Sequence, residues 1–453
     1  MQFESSTQLS DEVDGRRNNP PGPHCSRTRQ TVNWMLRPYP YLHECHQKYG
    51  DVFTLRLHAL GDVVMLADPR DVDAVFRMNP DHGRTGEANA LMTPIVGEDS
   101  LFVLDGERHR SRRAEMRSAI HTRPPIDPGI VERLTLEELP DNGGVVEVTA
   151  LFRWLAMRLI GHRVLGTDDP AILRSFCTQL HWVVGPLISL GAFFPILQRN
   201  YGIASPGYWL DRRIAALDSA LADSVRAAAL KPSTSCVGER MSAARGEPWP
   251  PAHSGPLRDD LITLVAAGDD TVASALSWAL FWVARTPRVA GKLQSGADAV
   301  FPDTNRADIA ESRFLDAVCM EALRIAPVVD IVSRKTSVPM VVRGFDVPVG
   351  SLLSPAIYLV HRRPDVFDDP HSFRPERFLE RKFKPSEYFP FGGGNRRCIG
   401  ASLALAEMKV VLGTILAHFE VSPASVADTA IRYSRRNVTV APAKFRVRLV
   451  RRR

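Results

Sequence analysis

The chain has 453 residues and a formal net charge of +6; 44% of its residues are hydrophobic and 24% are charged. That composition gives a globular protein ample apolar surface for a large core. Acids and bases are both abundant, and the basic C-terminal end (Arg451–Arg453) reads as a solvated tail, which argues against a nucleic-acid partner.

Six cysteines, Cys25, Cys45, Cys177, Cys236, Cys319 and Cys398, are scattered without a C-x-x-C pair. In a chain of this length that favours free thiols in a reducing compartment over a disulfide framework. Residues Met1–Gln30 are polar, lack an apolar signal core, and read as a flexible arm preceding one domain over residues 31–453. The longest apolar run, Gly185–Leu197, is about two-thirds of a membrane span and contains Pro186 and Pro195, so no transmembrane anchor is expected.

In chain order, Val52–Leu57 and Asp62–Ala67 flank Gly61 as a β-hairpin. Asp68–Met78 reads as helix, Asn79–Leu101 as loop, and Glu107–His121 as a strongly basic helix. Helices follow at roughly 150–165, 171–190 and 207–230, and a Pro-rich loop at Gly246–Gly255. A long helix begins after Pro256 and ends near Arg285, before Thr286-Pro287. Another spans 307–325 and stops at Pro327. Short strands are expected at Val338–Val342 and Phe345–Val349. A last helix runs from Cys398 to about Phe419, and a strand at Phe445–Val450 closes the chain. The fold class is mainly α with small β-sheets.

The segment Phe389-Pro390-Phe391-Gly392-Gly393-Gly394-Asn395-Arg396-Arg397-Cys398-Ile399-Gly400 leads directly into that last helix. A lone cysteine is usually a small buried hydrophobe. Here three glycines allow close backbone approach and positive φ. The helix N-terminus favours a thiolate, and Arg396 offers a bidentate fork to an anion.

From Phe391 to Gly400 the chain resembles the haem loop of the cytochrome P-450 superfamily, F-x-x-G-x-R-x-C-x-G, at every defined position. The resemblance implies the cytochrome P-450 fold with a single haem b, its iron held by Cys398. Phe391 and Gly392 would lie beside the sulfur, with Gly400 at the helix start and Arg396 on a haem propionate. His109 and Arg113, one turn apart, match the family's H-x-x-x-R, and Arg334 matches another propionate ligand. Glu321-Ala322-Leu323-Arg324 matches E-x-x-R, and Phe373–Phe378 matches F-x-P-x-R-F. Together these imply a buried structural network of Glu321, Arg324 and Arg377.

Within the long helix, Ala267-Gly268-Asp269-Asp270-Thr271 matches A/G-G-x-D/E-T. Gly268 is expected to let the helix open, Thr271 to bond the Ala267 carbonyl, and Asp270 with Thr271 to relay protons. Val272 stands where many relatives carry a second hydroxyl.

The resemblance implies a bacterial, cytoplasmic monooxygenase that inserts one atom of O2 into a substrate. Only 55 residues follow Cys398, so electrons are expected from a separate ferredoxin and its NAD(P)H-dependent reductase. Arg110, Arg112, Arg397 and Lys409 form either a basic patch for that partner or ordinary surface charge. Apolar residues expected around the pocket, in Gly83–Leu101, Leu187–Phe194, Leu264, Ala267, Thr271 and Val328–Val332, imply a lipophilic small molecule such as a fatty acid, sterol or terpenoid. Asp330 either reads a polar group or a cation there or is a solvent-facing loop acid. The rival functions are a peroxide-using or rearranging haem-thiolate enzyme and a non-catalytic haem or gas-binding protein.

Overall fold

The computed structural model describes residues 18–121, 126–185, 199–203, 205–230, 236–249, 255–300, 312–436 and 438–452. Gly185–Leu197 and the pocket segment Leu187–Phe194 therefore lie, but for Gly185, outside the described residues.

The central element is the helix Pro256–Arg285, buried over most of its length. It crosses the helix Val148–Ile160, which begins where the Glu147 carboxylate accepts hydrogen bonds from the Thr149 and Ala150 amides at 2.9 and 3.2 Å. Gly268 sits at this crossing. A Cβ added there would lie 2.6 Å from Ile160 Cδ1. The glycine thus permits close helix packing, which corrects the expectation that it loosens the helix.

At the C-terminal half of the central helix, Trp278 is the largest fully buried side chain and donates to the Val440 carbonyl at 2.8 Å. It meets Phe281 edge to face, and Phe281 meets Phe445 in the same way. The helix Ala401–His418 packs into the same core. It is long and apolar enough to cross a membrane by length and composition, yet 56% of it is buried within the protein.

The strands are few and short. Val52–Leu57 and Gly61–Leu66 pair antiparallel, and the second runs parallel to Leu352–Pro355. Arg334–Thr336 and Gly83–Arg84 complete that sheet. Met340–Val342 and Phe345–Val347 form a separate hairpin, and Arg446–Arg451 lies between Gly143–Glu147 and Phe419–Pro423.

Three expectations change. Residues 18–30 are not a free arm: the Thr54 amide donates to the Pro21 carbonyl at 2.7 Å, and a helix, Arg27–Leu36, starts at the Ser26 cap. Residues 79–101 are not all loop, because Asp105 accepts from the amides of Thr85, Gly86 and Glu87 and so caps a short helix, Thr85–Ala88. The second of the three middle helices, Pro170–Val183, ends seven residues earlier than the spacing suggests.

Pro170–Val183 is tied to the central helix by a partly buried ion pair. His181 Nε2 donates to Asp269 Oδ2 at 2.5 Å, and its Nδ1 lies 3.4 Å from Cys177 Sγ. Burial alone lowers an imidazole's pKa, but the bonds to Asp269 and Cys177 and the Asp269 charge overcome it and raise His181 to about 10. The folded value exceeds the ordinary value of 6.5, so the pair's stabilisation is complete below pH 6.5 and is lost as pH rises towards about 10. Urea unfolding across that window is expected to show a steeper loss of stability with pH for the native chain than for His181→Gln. Equal slopes would contradict this account of the pair.

Candidate active site

The cysteine loop is closed by its own backbone. The Cys398 amide donates to the Phe391 carbonyl at 2.9 Å, and the Arg397 amide to Gly394 at 3.2 Å. Gly392 and Gly394 adopt φ of +65° and +64°, values costly for residues with a Cβ. A Cβ on Gly394 would also lie 2.4 Å from the Phe76 carbonyl oxygen. Phe76 thus presses the loop from outside, a contact with no signal in the sequence. Phe391 is half-buried against the main core.

Cys398 is exposed, unlike most of the other cysteines, at the start of Ala401–His418. Surrounding protein pushes its thiol pKa up, while a hydrogen bond from the Gly400 amide and the charges of Arg113 and Arg397 pull it down. A positive metal ion at the sulfur would complete that pull and hold it as thiolate.

Cationic side chains gather beside this loop. Arg396 donates to Asp105 at 2.5 Å and to the Leu101 carbonyl at 3.2 Å. Arg334 is buried and reaches the Gly393 carbonyl at 3.4 Å, and Arg113 donates to the Arg397 carbonyl at 2.5 Å. His109 is buried within reach of all three charges: burial, then Arg396, Arg113 and Arg334, push it down to about 3. Burial, and for Arg334 also the charge of Arg396, lowers both Arg334 and Arg396 to about 10. Asp105 is the one carboxylate paired with this group among the described residues. A cluster so short of anions fits a ligand bringing two carboxylates.

On the other side of the site, Thr271 Oγ1 donates to the Ala267 carbonyl at 2.5 Å. Ala266, Ala267, Gly268, Asp270 and Thr271 are half-exposed in a helix otherwise buried. Asp270 is not free: Thr439 donates to it, and Arg436 lies 3.2 Å away. Asp269, which the motif leaves undefined, turns instead to His181.

Behind the loop, Arg324 donates to both oxygens of Glu321 at 2.7 and 2.8 Å, and Arg377 to Glu321 at 3.2 Å. All three are buried. His361 joins this network to the loop: its carbonyl accepts from Arg324 at 2.8 Å, and its Nε2 accepts from the Phe389 amide at 2.9 Å. A single histidine outside any motif gave no hint of this.

Two residues of the expected basic patch are elsewhere. Arg112 is bonded to buried Asp260 at 2.7 Å, and Lys409 is buried beside Asp316 at 2.9 Å. Arg110 is exposed but paired with Glu107, and Arg397 is exposed. Arg110, Arg113, Arg117, His121 and Asn395 instead line an open groove of about 560 Å³ beside the cysteine loop. Asp330 fits neither expectation: it is buried in an ion pair with Arg435.

An exposed thiol at a helix start, an anion-poor cationic cluster and a half-exposed helix face define a haem-thiolate type of site. A family model for cytochrome P-450 matches residues 245–449. Cytochrome P-450 135B1 of Mycobacterium tuberculosis is 33% identical over 456 residues, covering 95% of this chain and 92% of its own. Cytochrome P-450 135A1 of the same species is 28% identical over 445 residues, covering 93% of each. Among solved structures, cyanobacterial CYP120A1 with retinoic acid bound superposes with a TM-score of 0.80 at 22% identity, over 96% of this chain and 100% of that one. CYP102L1 gives 0.76 at 21% identity, over 96% and 100%. The chain belongs to the cytochrome P-450 family. Members are oxidoreductases of the monooxygenase type that bind haem b iron through a cysteine thiolate and draw on redox partners.

The buried network yields a prediction. Glu321→Gln removes the charge facing two buried guanidinium groups, a loss on the order of 3–5 kcal/mol. The variant is expected to purify with little haem and a lowered unfolding midpoint. Native haem content, by pyridine haemochromogen assay, would refute the role given to Glu321.

Proposed function

We propose that the chain is an O2-dependent monooxygenase of a lipophilic small molecule, acting as one haem-binding unit in a bacterial cytoplasm. The observation that carries this reading is the convergence on one place of exposed Cys398, the anion-poor cluster and the Ala267–Thr271 face.

Cys398 holds the iron as its thiolate, and Phe391, Gly392 and Gly400 shape the loop around the sulfur. Arg396, His109, Arg113 and Arg334 hold the propionates. The arginines contribute charge to that grip, and the His109 ring contributes a hydrogen-bonding nitrogen. Glu321, Arg324 and Arg377 position the loop from behind. When bound, the haem iron supplies oxygen activation, which a thiolate ligand favours by pushing electron density towards O–O cleavage.

Asp270 and Thr271 move the protons. Thr271 keeps its hydroxyl beside the helix by bonding Ala267, and Asp270 stands next to it with Thr439 and Arg436 on its carboxylate. Leu264 and Val328 are buried and Val332 half-buried, an apolar setting that suits a lipophilic substrate.

Electrons come from a separate acidic ferredoxin and its NAD(P)H-dependent reductase. Arg110 and Arg117, which line the groove beside the cysteine loop, support that choice, because opposite charge speeds encounter. A lipophilic compound library is first screened for a shift in iron spin state. A hit should be oxygenated with ferredoxin, reductase and O2, and Arg117→Glu should slow that turnover and weaken its salt dependence. Turnover with peroxide alone, and none with the ferredoxin system, would favour the peroxide-using alternative.

A further inference from the structure

A second cavity, of about 170 Å³, lies between the C-terminal half of the central helix and the end of the helix Arg313–Ile325. Its walls are aromatic: Trp278 and Trp282 from the central helix, with Tyr358 and Tyr433. Ile325 and Ala326, both buried, add apolar surface, and exposed His371 and Ile431 mark its mouth. None of these residues belongs to the cysteine site.

Two of the polar groups around this cavity are donors without a partner. Trp282 is 9% exposed, and its Nε1 is buried with no hydrogen-bond partner. Arg362 places its guanidinium 3.9 Å from the centre of the Tyr358 ring and gives Nη2 to the Ile325 carbonyl. Its Nη1 is buried and has no partner. Among the described residues no carboxylate pairs with Arg362, and another cation, Arg324, acts on it unfavourably. Burial lowers the Arg362 pKa, so the fold penalises a charge that it leaves uncompensated. A buried donor without a partner is costly, and more so when it is charged.

We propose that this cavity is a second binding site, which takes a single-ring aromatic carboxylate. Three features set that class. The volume suits one ring, since a cavity of roughly 150 Å³ accommodates benzene. The four aromatic walls present faces and edges for stacking. The Arg362 Nη1 and Trp282 Nε1 donors call for an acceptor, and the missing counter-charge calls for an anion.

The test is calorimetric titration of sodium benzoate into the ferric, haem-loaded protein. One saturable site is expected. Trp282→Phe keeps an aromatic, though smaller, wall and removes the N–H, and should weaken binding about fivefold. Arg362→Met removes the charge and should weaken it about tenfold or more. Ile431→Trp fills the mouth from an exposed position and should abolish the site, with the haem spectrum of each variant unchanged as the check on folding. Benzamide, of similar shape and uncharged, should bind about tenfold more weakly than benzoate. If benzoate gives no saturable heat at millimolar concentration, water alone fills the cavity and the proposal fails. It fails equally if Trp282→Phe and Ile431→Trp bind like the native chain, because benzoate then sits elsewhere, or if benzamide binds as well as benzoate.

Discussion

A guanidinium group fully removed from water must place five N–H donors, and Arg324, with 0% exposure, does so. Nε and Nη2 go to the two oxygens of Glu321, Nη1 to the carbonyls of His361 and Pro370, and Nη2 also to the Ser372 carbonyl. Each of those carbonyls belongs to a segment with no regular structure to hold it. Residues 361–377 are thus pinned by one side chain of the helix Arg313–Ile325. The gain against water is modest, but once the group is buried any missing partner is expensive. That asymmetry makes the arrangement hard to vary. Through His361 and Phe389 it passes directly into the cysteine loop.

Charge is divided unevenly across the molecule. The haem side concentrates His109, Arg113, Arg334 and Arg396 against a single acid, Asp105. The central helix carries two adjacent acids with opposite destinations. Asp269 locks to His181, and Asp270 meets Thr439 and Arg436 at its more open side. Adjacent residues on a helix point about 100° apart, so one acid serves packing and its neighbour can face the site.

Much of the candidate site's arrangement was legible in the sequence because its elements are local. Cys398, Arg396 and Gly400 lie within five residues, and Glu321 with Arg324 share one helix face. The limits of the longer helices were also close, since proline, glycine and capping acids mark them. What could not be read were partners distant in the chain. Arg112 meets Asp260 and Asp330 meets Arg435 across 148 and 105 residues, so both looked like surface or pocket charges. Gly268 read as a flexible point because its neighbour Ile160 was invisible, and residues 18–30 read as an arm because the strand they join begins only at Val52.

The central claim is that Cys398 supplies the thiolate. The direct measurement is the absorption spectrum of the reduced, carbon-monoxide-treated protein for the native chain and for Cys398→Ser. The account predicts a red-shifted Soret band of thiolate type in the native protein and its loss in the variant, with haem still bound by the cationic cluster. A variant that kept the thiolate-type band would contradict it and place the ligand on another cysteine.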